Sequence, residues 1–475
     1  MTAPVEIVDN ICGKNTVTRR ELLTGAATAA ARARLGAAPS DDPSRTLDAI
    51  LARIRPPQFP HRVYDITRYG AREGGKVQAT GAIRKAVREC SAAGGGRVVV
   101  PAGVFLTGAV HLSSNVNLHL EEGATLRFSQ DPDDYLPPVF TRFEGTECMN
   151  YSPFLYAFEA TNIAITGDGT LDGGADSEHW WPWKNPVPRG PGRPAEDRAA
   201  LVEQGEKDVP VTQRVYGRGF TLRPNFVQPY RSANILIEGV TMRNSPMWEI
   251  NPVLCRNVTV RGVKIYSHGP NNDGCDPECC TDVLIDACEF DTGDDCIAIK
   301  SGRNRDGRRV NVACENIVVR NCRMKDGHGG VSIGSEVSGG IRNVFIENNT
   351  MNSPHLERAL RIKTNSHRGG DLEDFYFRNN TVGEVARAVI DIDFYYEEGP
   401  GGPFTPSARN VVVENVTSQR SRYALYLRGY ENAKISGVRV AHCAFNNVAE
   451  PDVIENVASL DLVDDLRNGK PMTVK

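Results

Sequence analysis

The chain has 475 residues, of which 24% are charged and 40% are hydrophobic, and its formal net charge is −4. At about 150 residues per domain this length allows roughly three domains or one elongated one, and the composition is not that of a disordered chain. No run of 18 apolar residues occurs, so no membrane-spanning helix is expected, and the mildly acidic charge does not indicate a nucleic-acid-binding protein.

The first 40 residues have the features of an export signal. The pair Arg19-Arg20 precedes two leucines and a run of small residues from Thr24 to Ala38, an order that resembles a twin-arginine signal. Gly36-Ala37-Ala38 is a candidate cleavage site. The alternatives are an Ala/Arg-rich helix or a flexible tail, because two arginines interrupt the weakly apolar stretch. We expect residues 1–40 to be an export signal and flexible leader of a periplasmic or extracellular protein.

Residues Thr80 to Ala92 form the clearest amphipathic helix. Their apolar side chains recur at helical spacing on one face: Ala82, Ile83, Ala86, Val87 and Cys90. A glycine triplet and the strand pattern Arg97–Val100 follow the helix. We expect the helix to cap the N-terminal end of the repetitive body, whose first strands would otherwise expose their edges.

The rest of the chain repeats one short sequence pattern. A small or Cys residue is followed by any residue, an Asn or Asp, and alternating apolar residues, as in Cys255-Arg256-Asn257-Val258-Thr259-Val260. Later copies begin at residues 280, 314, 341, 372 and 408, in steps of 25, 34, 27, 31 and 36. The alternation is typical of strands, and no unit leaves room for a crossover helix, which excludes a doubly wound α/β sheet.

Strands that repeat without helices at this period predict a β-solenoid, in which each rung buries its side chains against the next. Because parallel crossovers are right-handed, the expected fold is all-β: a single-domain right-handed parallel β-helix over residues 60–460 with an N-terminal capping helix. Residues 172–230 interrupt the rhythm with three tryptophans and many Pro and Gly, and we expect a loop excursion there rather than a domain.

Six of the twelve cysteines recur at equivalent repeat positions, as expected for small buried residues of successive rungs rather than zinc ligands. One set comprises Cys255, Cys280 and Cys314, and another comprises Cys288, Cys322 and Cys443. Cys275, Cys279 and Cys280 are the one group that a metal or a cross-link would suit.

Carboxylates concentrate in two segments, Asn271–Gly274 and Gly293–Asp295. Asp273 and Asp294 are 21 residues apart, a spacing that places them on adjacent rungs of one face. Like charges held together raise the pKa of one carboxyl, which lets one carboxylic acid donate a proton while others remain ionised, as glycoside hydrolysis requires. The alternatives are a Ca²⁺ site or solvated aspartates in turns.

Two further segments favour catalysis. His328 lies between glycines in Gly327–Gly330, where it can tune the proton of a nearby acid; a structural histidine is the alternative. Arg361 and Lys363 are two residues apart and share one side of a strand, a geometry suited to holding a carboxylate. The alternative for them is ion pairing at the surface.

Together these segments resemble the four motifs of glycoside hydrolase family 28, the polygalacturonases, in residue type, order and spacing. They are NNDG (271–274), GDD (293–295), GHGG (327–330) and RIK (361–363). The resemblance extends over residues 60 to 450. It implies a pectin-lyase-like right-handed parallel β-helix that hydrolyses α-1,4-galacturonide bonds in a pectic polysaccharide or oligogalacturonide, with inversion and with no metal or cofactor.

The resemblance also implies roles for four catalytic residues. Asp294 matches the general acid, Asp273 and Asp295 match the pair that activates water, and His328 matches the histidine that supports protonation of the acid. Inversion calls for about 6.5–9.5 Å between acid and base carboxyls. Because neighbours in a strand point to opposite sides, the chain must bend at Gly293 for both adjacent aspartates to face the site.

Substrate contacts follow from the same resemblance. Arg361 and Lys363 match the pair that holds the galacturonate carboxylate, and Tyr396 matches an aromatic sugar contact, with Tyr395 as its rival.

Several loops resemble the bacterial exo-acting branch of the family. They are residues 144–147, 150–152, 303–309, 334–336 and 393–399. Exo action requires a wall at one end of the cleft, which the excursion at 172–230 can supply; the alternative is a loop packed on the outside of the helix. Four arginines, Arg303, Arg305, Arg308 and Arg309, are candidates for concentrating an anionic substrate.

Three other functions remain open on this fold. A rhamnogalacturonan or xylogalacturonan hydrolase would share the galacturonate contacts. A pectate lyase would need Ca²⁺. A β-helical carbohydrate-binding protein without turnover is the least favoured, because acid, base and cation positions are all present.

Overall fold

A computed structural model describes residues 42–184 and 194–473. Ile50–Lys475 is one compact unit, and residues 42–49 belong to the unit before it. Four α-helices occur in the described residues: α1 (Pro43–Arg53), α2 (Thr80–Ala92), α3 (Pro194–Glu206) and α4 (Asn304–Val310). None of the described helices has both the length and the apolar character needed to cross a bilayer. Short 3₁₀ helices lie at Ile66–Tyr69, Pro132–Tyr135, Trp181–Trp183, Val211–Gln213 and Gly399–Gly401.

Most of the strands run in three long faces that wind around a common core. Sheet A is parallel and consists of Val63–Asp65, Gly96–Val100, Val116–Leu120, Thr161–Gly167, Ala233–Glu238, Arg256–Arg261, Thr281–Asp286, Cys314–Arg320, Ile341–Glu347, Asp371–Arg378, Ser407–Glu414, Ser436–Ala441 and Leu460–Val463. Sheet B consists of Gly103–Thr107, Ala124–Phe128, Thr170–Asp172, Thr241–Arg243, Lys264–Ser267, Glu289–Thr292, Arg323–Met324, Thr350–Met351, Thr381–Glu384, Thr417–Arg420, Ala444–Phe445, Leu466–Arg467 and the antiparallel Lys470–Pro471.

Sheet C is parallel and has two parts. Its first part is Val110–His111, Leu155–Phe158 and Val227–Tyr230, and its second part is Ile297–Ile299, Val331–Ile333, Arg358–Lys363, Ala388–Asp393, Tyr423–Arg428 and Val453–Glu455. Single bridges through Ile250 and Cys275 connect Val227 to Ile297, so the face is continuous. The predicted all-β, single-domain right-handed parallel β-helix is confirmed. Outside the three faces, Val139–Phe143 and Thr146–Asn150 form an antiparallel hairpin.

Stacked side chains explain why the rungs hold together. Residues of sheet A that face the core pair along the coil at equivalent positions. One ladder of this kind, buried at every position, is Ile285, Val319, Ile346, Phe377 and Val413. Each of these side chains gains the favourable free energy of apolar burial only because the rungs before and after it cover it.

Backbone conformation explains why Asn or Asp recurs in the repeated sequence pattern. Asn162, Asn234 and Asn257 have positive φ angles of 57°, 57° and 54°, a region in which Asn is among the tolerated residues. Their amides form a second ladder, because Asn257 donates to Asn234 and Asn234 donates to Asn162, both at 2.9 Å.

Helix α2 has the predicted bounds and buries the predicted stripe, which packs against strands Val63–Asp65 and Gly96–Val100. The excursion differs from expectation, because it contains helix α3. The sequence did not indicate this helix, since its apolar residues do not form a stripe. Leu201 of α3 packs with Phe143, Met247 and Trp248, which ties the excursion to the coil.

The described cysteines are all free thiols in buried positions. The sulfurs of Cys255, Cys280 and Cys314 donate to the carbonyls of Pro229, Pro252 and Pro277 at 3.3, 3.1 and 3.5 Å. Within the described part of the chain, Cys275, Cys279 and Cys280 do not converge as metal ligands. Cys255, Cys280 and Cys314 are therefore buried rung residues, as their spacing predicted.

Shortening one ladder residue tests the stacking. We expect Ile346→Ala to lower the free energy of unfolding by about 2–5 kcal/mol, because the neighbouring rungs cannot close the cavity. The exposed substitution Thr350→Ala, four residues away, should change it by less than about 0.5 kcal/mol. Urea unfolding followed by tryptophan fluorescence measures both, and equal effects would contradict the ladder.

Candidate active site

The four motifs meet where the chain passes from sheet B to sheet C on successive rungs. Gly293–Asp295 connects strand Glu289–Thr292 to Ile297–Ile299, and Gly327–Gly330 connects Arg323–Met324 to Val331–Ile333. Because neighbouring rungs lie about 4.8 Å apart, residues 20 to 35 positions apart in sequence come into contact here.

Two glycines allow the close approach of these loops. A Cβ at Gly293 would lie 2.5 Å from the carbonyl oxygen of Gly269, and one at Gly329 would lie 2.3 Å from Ser332 Oγ and 3.0 Å from Asp295 Oδ1. Asp294 is 18% exposed and Asp295 is fully buried, yet each places a carboxylate oxygen within 4.8 Å of Asp273. Because neighbours in a regular strand point to opposite faces, this convergence agrees with the bend predicted at Gly293.

Asp295 is held as a carboxylate. Lys363 Nζ donates to its Oδ2 at 2.6 Å, Ser332 Oγ donates to its Oδ1 at 2.7 Å, and Arg361 Nη1 lies 3.5 Å from Oδ1. Burial alone raises the pKa of the Asp295 carboxyl, but the Lys363 and Arg361 charges outweigh it and hold that pKa well below its usual range.

Asp273 has the opposite environment. It is 3% exposed, and its Oδ1 has no hydrogen-bond partner among the described residues. Its Oδ2 lies 3.9 Å from Lys300 Nζ. Burial, followed by the nearby charges of Asp276 and Asp294, raises the pKa of Asp273 well above its usual range. The site therefore separates the proton affinities of two carboxyls that share it.

Asp294 pairs with His328. His328 Nδ1 lies 2.9 Å from Asp294 Oδ1, and the His328 backbone N–H donates to the Asp294 carbonyl at 3.0 Å. The hydrogen bond to Asp294 raises the pKa of His328, although partial burial opposes it. The two side chains can therefore exchange one proton, and Asp294 is the most exposed of the three aspartates.

One carboxylate oxygen of each of Asp273, Asp294 and Asp295 lies within 4.8 Å of the other two. Measured between nearest oxygens, the groups are thus closer than the separation predicted for inversion. Such oxygens can also contact one cation, as can those of Asp291 and Asp326 with His268. In the group of Asp273, Asp294 and Asp295, however, the side chains of Lys300, Arg361 and Lys363 already balance much of the negative charge that a metal ion would otherwise neutralise.

The structure distinguishes the two candidate tyrosines. The Tyr396 ring centre lies 5.4 Å from the Arg361 guanidinium and 5.3 Å from Lys363 Nζ. Tyr395 instead packs against Tyr430 at 5.0 Å and against Arg428 at 4.5 Å. Tyr396 is the one that borders the site.

Lys300 and Glu336 belong to the site but were not among the predicted residues. Lys300 is 3% exposed, and its Nζ lies 3.1 Å from Glu336 Oε2 and 4.5 Å from the Trp248 ring centre. The signal for Lys300 was a cation at the end of the apolar strand Ile297–Ile299.

Asn272 supports the loop that carries Asp273. Its buried amide donates to the carbonyls of Ser245 and Met247 at 3.0 Å each and accepts from Ser267 Oγ and the Gly269 backbone N–H at 2.8 and 2.7 Å.

Ion pairs connect the loops that resemble the exo-acting branch. We call this group the end-wall cluster: Glu144, Arg198, Arg303, Glu336 and Glu397. Glu144 Oε2 lies 2.5 Å from Arg198 Nε of α3 and 3.2 Å from Arg303 Nη1. Arg303 also lies 3.6 Å from Glu336 and from Glu397. Lys300 connects Glu336 to Asp273, because its Nζ lies 3.1 Å from Glu336 and 3.9 Å from Asp273.

The arginines of residues 303–309 are largely occupied. Arg303 is buried in the end-wall cluster, Arg305 pairs with Asp208, Arg309 pairs with Glu147 at 2.5 Å and Asp306 at 2.9 Å, and Arg308 stacks 3.5 Å above Phe404. Three of the four have carboxylate partners, so the structure gives little support to their concentrating an anionic substrate.

A parallel β-helix carries an aspartate–histidine pair, two further aspartates and two cations along one face, and this set fits the acid/base chemistry of a glycoside hydrolase. The family model described as "Glycosyl hydrolases family 28" matches residues 216–461, and the chain belongs to this family.

Named relatives agree with this assignment. An exopolygalacturonase structure from Thermotoga maritima is 44% identical, covers 90% of this chain and 97% of its own, and superposes with a TM-score of 0.86. A probable polygalacturonase of Vitis vinifera is 29% identical over 80% of this chain and 74% of its own length. An exo-poly-alpha-D-galacturonosidase of Dickeya chrysanthemi is 29% identical over 76% of this chain and 62% of its own length.

Proposed function

We propose that the protein hydrolyses α-1,4-galacturonide bonds of polygalacturonate by acid/base catalysis, acting from chain ends. The observation that carries the proposal is the placement of Arg361 and Lys363 beside the three aspartates, because it sets a carboxylate-binding pair against an acid/base set. The exo-acting relatives support both the substrate and the mode of action.

In the proposed mechanism, Asp294 donates its proton to the glycosidic oxygen as the bond to C1 breaks. A water attacks C1 from the other face and gives its proton to Asp273 or Asp295. His328 then relays a proton from solvent to Asp294, and the base releases its proton to solvent. Arg361 and Lys363 bind the galacturonate carboxylate, Tyr396 contacts the sugar ring, and no metal or cofactor takes part.

Removing the acid tests the assignment. We expect Asp294→Asn to lower kcat for release of reducing ends from polygalacturonate by at least about 10²-fold, because the amide cannot protonate the leaving oxygen. The variant should unfold at a temperature close to that of the wild type. The exposed Asp168→Asn should keep full activity, and full activity of Asp294→Asn would contradict its role as the acid.

The stereochemical outcome is a separate prediction. We propose inversion, in which water adds directly and the first product is the β-anomer. Proton NMR spectra taken early in the hydrolysis of a short galacturonide, before mutarotation, distinguish the anomers. The carboxylate oxygens lie closer together than the separation expected for inversion, so the test decides between the two outcomes. An α-anomer as first product would establish retention.

Product length tests the mode of action. We propose that the end-wall cluster closes one end of the cleft, so wild-type enzyme should release only monomer or dimer from polygalacturonate. Arg198→Ala, which loosens α3 from Glu144, should add longer products. Arg305→Ala, which removes an exposed pair with Asp208 instead, should not. A spread of lengths from the wild type would indicate endo action.

Pectic substrates other than polygalacturonate are not favoured by these observations. Arg361 and Lys363 account for a galacturonate but do not select rhamnose or xylose neighbours. Release of product from rhamnogalacturonan or xylogalacturonan, with none from polygalacturonate, would redirect the assignment.

We also propose that the enzyme is exported to act on a polymer outside the cytoplasm, with residues 1–40 as a twin-arginine-type signal ahead of the catalytic domain at 60–460. The signal lies outside the described residues, and its support is the Arg19-Arg20 pattern. Cell fractionation with N-terminal sequencing tests it, and a full-length protein confined to the cytoplasm would contradict it.

A further inference from the structure

A second buried aspartate, Asp276, lies beside the lysine that Asp273 faces. Asp276 is fully buried, and neither of its carboxyl oxygens has a hydrogen-bond partner among the described residues. Lys300 Nζ lies 3.7 Å from Asp276 Oδ2 and 3.9 Å from Asp273 Oδ2. A buried carboxylate without hydrogen bonds is costly, so the Lys300 charge largely determines whether these two carboxyls ionise.

Lys300 is held in place by its surroundings. Its backbone N–H donates to the Pro277 carbonyl at 2.9 Å, and its Nζ donates to the Gly334 carbonyl at 3.3 Å. Glu336, its nearest carboxylate, also lies 3.6 Å from Arg303. Since Glu336 has a second cation, part of the Lys300 charge remains available to the aspartates.

Asp273 and Asp276 have one nearby ion-pair partner between them, which is Lys300. Asp295 has its own partners in Arg361 and Lys363, whereas Asp273 and Asp276 share Lys300. Burial, followed by mutual repulsion in the case of Asp273, raises the pKa of each. The two carboxyls therefore compete for the charge of Lys300, and ionisation of one opposes ionisation of the other.

Other charged groups face the same three side chains and act as a fixed background. Around Asp273 and Asp276 these are Arg223, Glu249, Asp294, Asp295 and Glu336, and Lys363 and Glu278 also face Lys300. None of the substitutions below removes any of them.

We infer that Lys300 and Asp276 are positioning residues that set the pH at which Asp273 can accept a proton from water. Lys300 favours the ionised form of Asp273, and Asp276 opposes it. The inference rests on the proposed function, in which Asp273 belongs to the pair that activates water. Neither residue needs to contact the sugar.

The pH dependence of kcat/KM on polygalacturonate tests this inference, since its acid limb reports the base of the free enzyme. Asp276→Asn removes the competing carboxyl, so the acid limb should move to lower pH by about 1 unit. Lys300→Met removes the cation, so the limb should move to higher pH by about 1 unit. Lys300→Arg keeps the charge and should return the limb toward its wild-type position.

Matched controls separate this effect from loss of structure. Asp168→Asn and Lys264→Met make the same chemical changes at exposed positions and should leave the limb unchanged. If Lys300→Met does not fold, Asp276→Asn still carries the test, because Asn has nearly the same shape as Asp. Infrared spectra provide a readout independent of turnover: Asp276→Asn should lose a protonated-carboxyl stretch present in the wild type near neutral pH.

The outcomes are distinguishable. Acid limbs of Asp276→Asn and Lys300→Met that stay at the wild-type pH, while kcat/KM falls equally at every pH, would overturn the inference. Acid limbs that move in the same direction in both variants would overturn it as well. A wild-type enzyme that releases no product from polygalacturonate would contradict the proposed function instead, and the infrared band would then decide alone whether the pair holds a proton.

Discussion

The stacking of one rung on the next is the constraint on which the whole molecule depends. A single rung cannot bury its apolar side chains, so Ile346 is covered only because Val319 and Phe377 lie directly above and below it. The same spacing sets the chemistry. Asp273, Asp294 and His328 belong to three successive turns of the coil, and their distances follow from the strand spacing rather than from any local loop preference.

Burial then turns this arrangement into an electrostatic one. Charges that would matter little at a surface dominate in a site shielded from water, and each carboxyl takes its character from the cation it faces. Asp295 has Lys363 and Arg361, whereas Asp273 has a share of Lys300. The chain thus creates different acids from identical side chains by the placement of three cations.

The repeats, the capping helix and the grouping of the four motifs could be predicted from the sequence, because each leaves a periodic or local pattern. The pairing of Lys300 with Asp276 could not, since nothing in the spacing of two strand ends reveals which way a lysine side chain turns. Helix α3 escaped prediction for a related reason: it is held by contacts of Leu201 with a distant hairpin rather than by an apolar stripe. The ion pairs of Arg303 with Glu144 and of Arg305 with Asp208 could not be predicted either, because these carboxylate partners lie far away in the sequence.

The buried thiols of the coil have a consequence for how the molecule matures. Each sulfur of the Cys255, Cys280 and Cys314 column is turned toward a backbone carbonyl, and among the described cysteines none is cross-linked. The described fold is therefore complete without an oxidation step, and reducing and oxidising surroundings favour the same final structure. An oxidant could reach these sulfurs only after local unfolding of a rung, so the packing of the coil protects the thiols from oxidation.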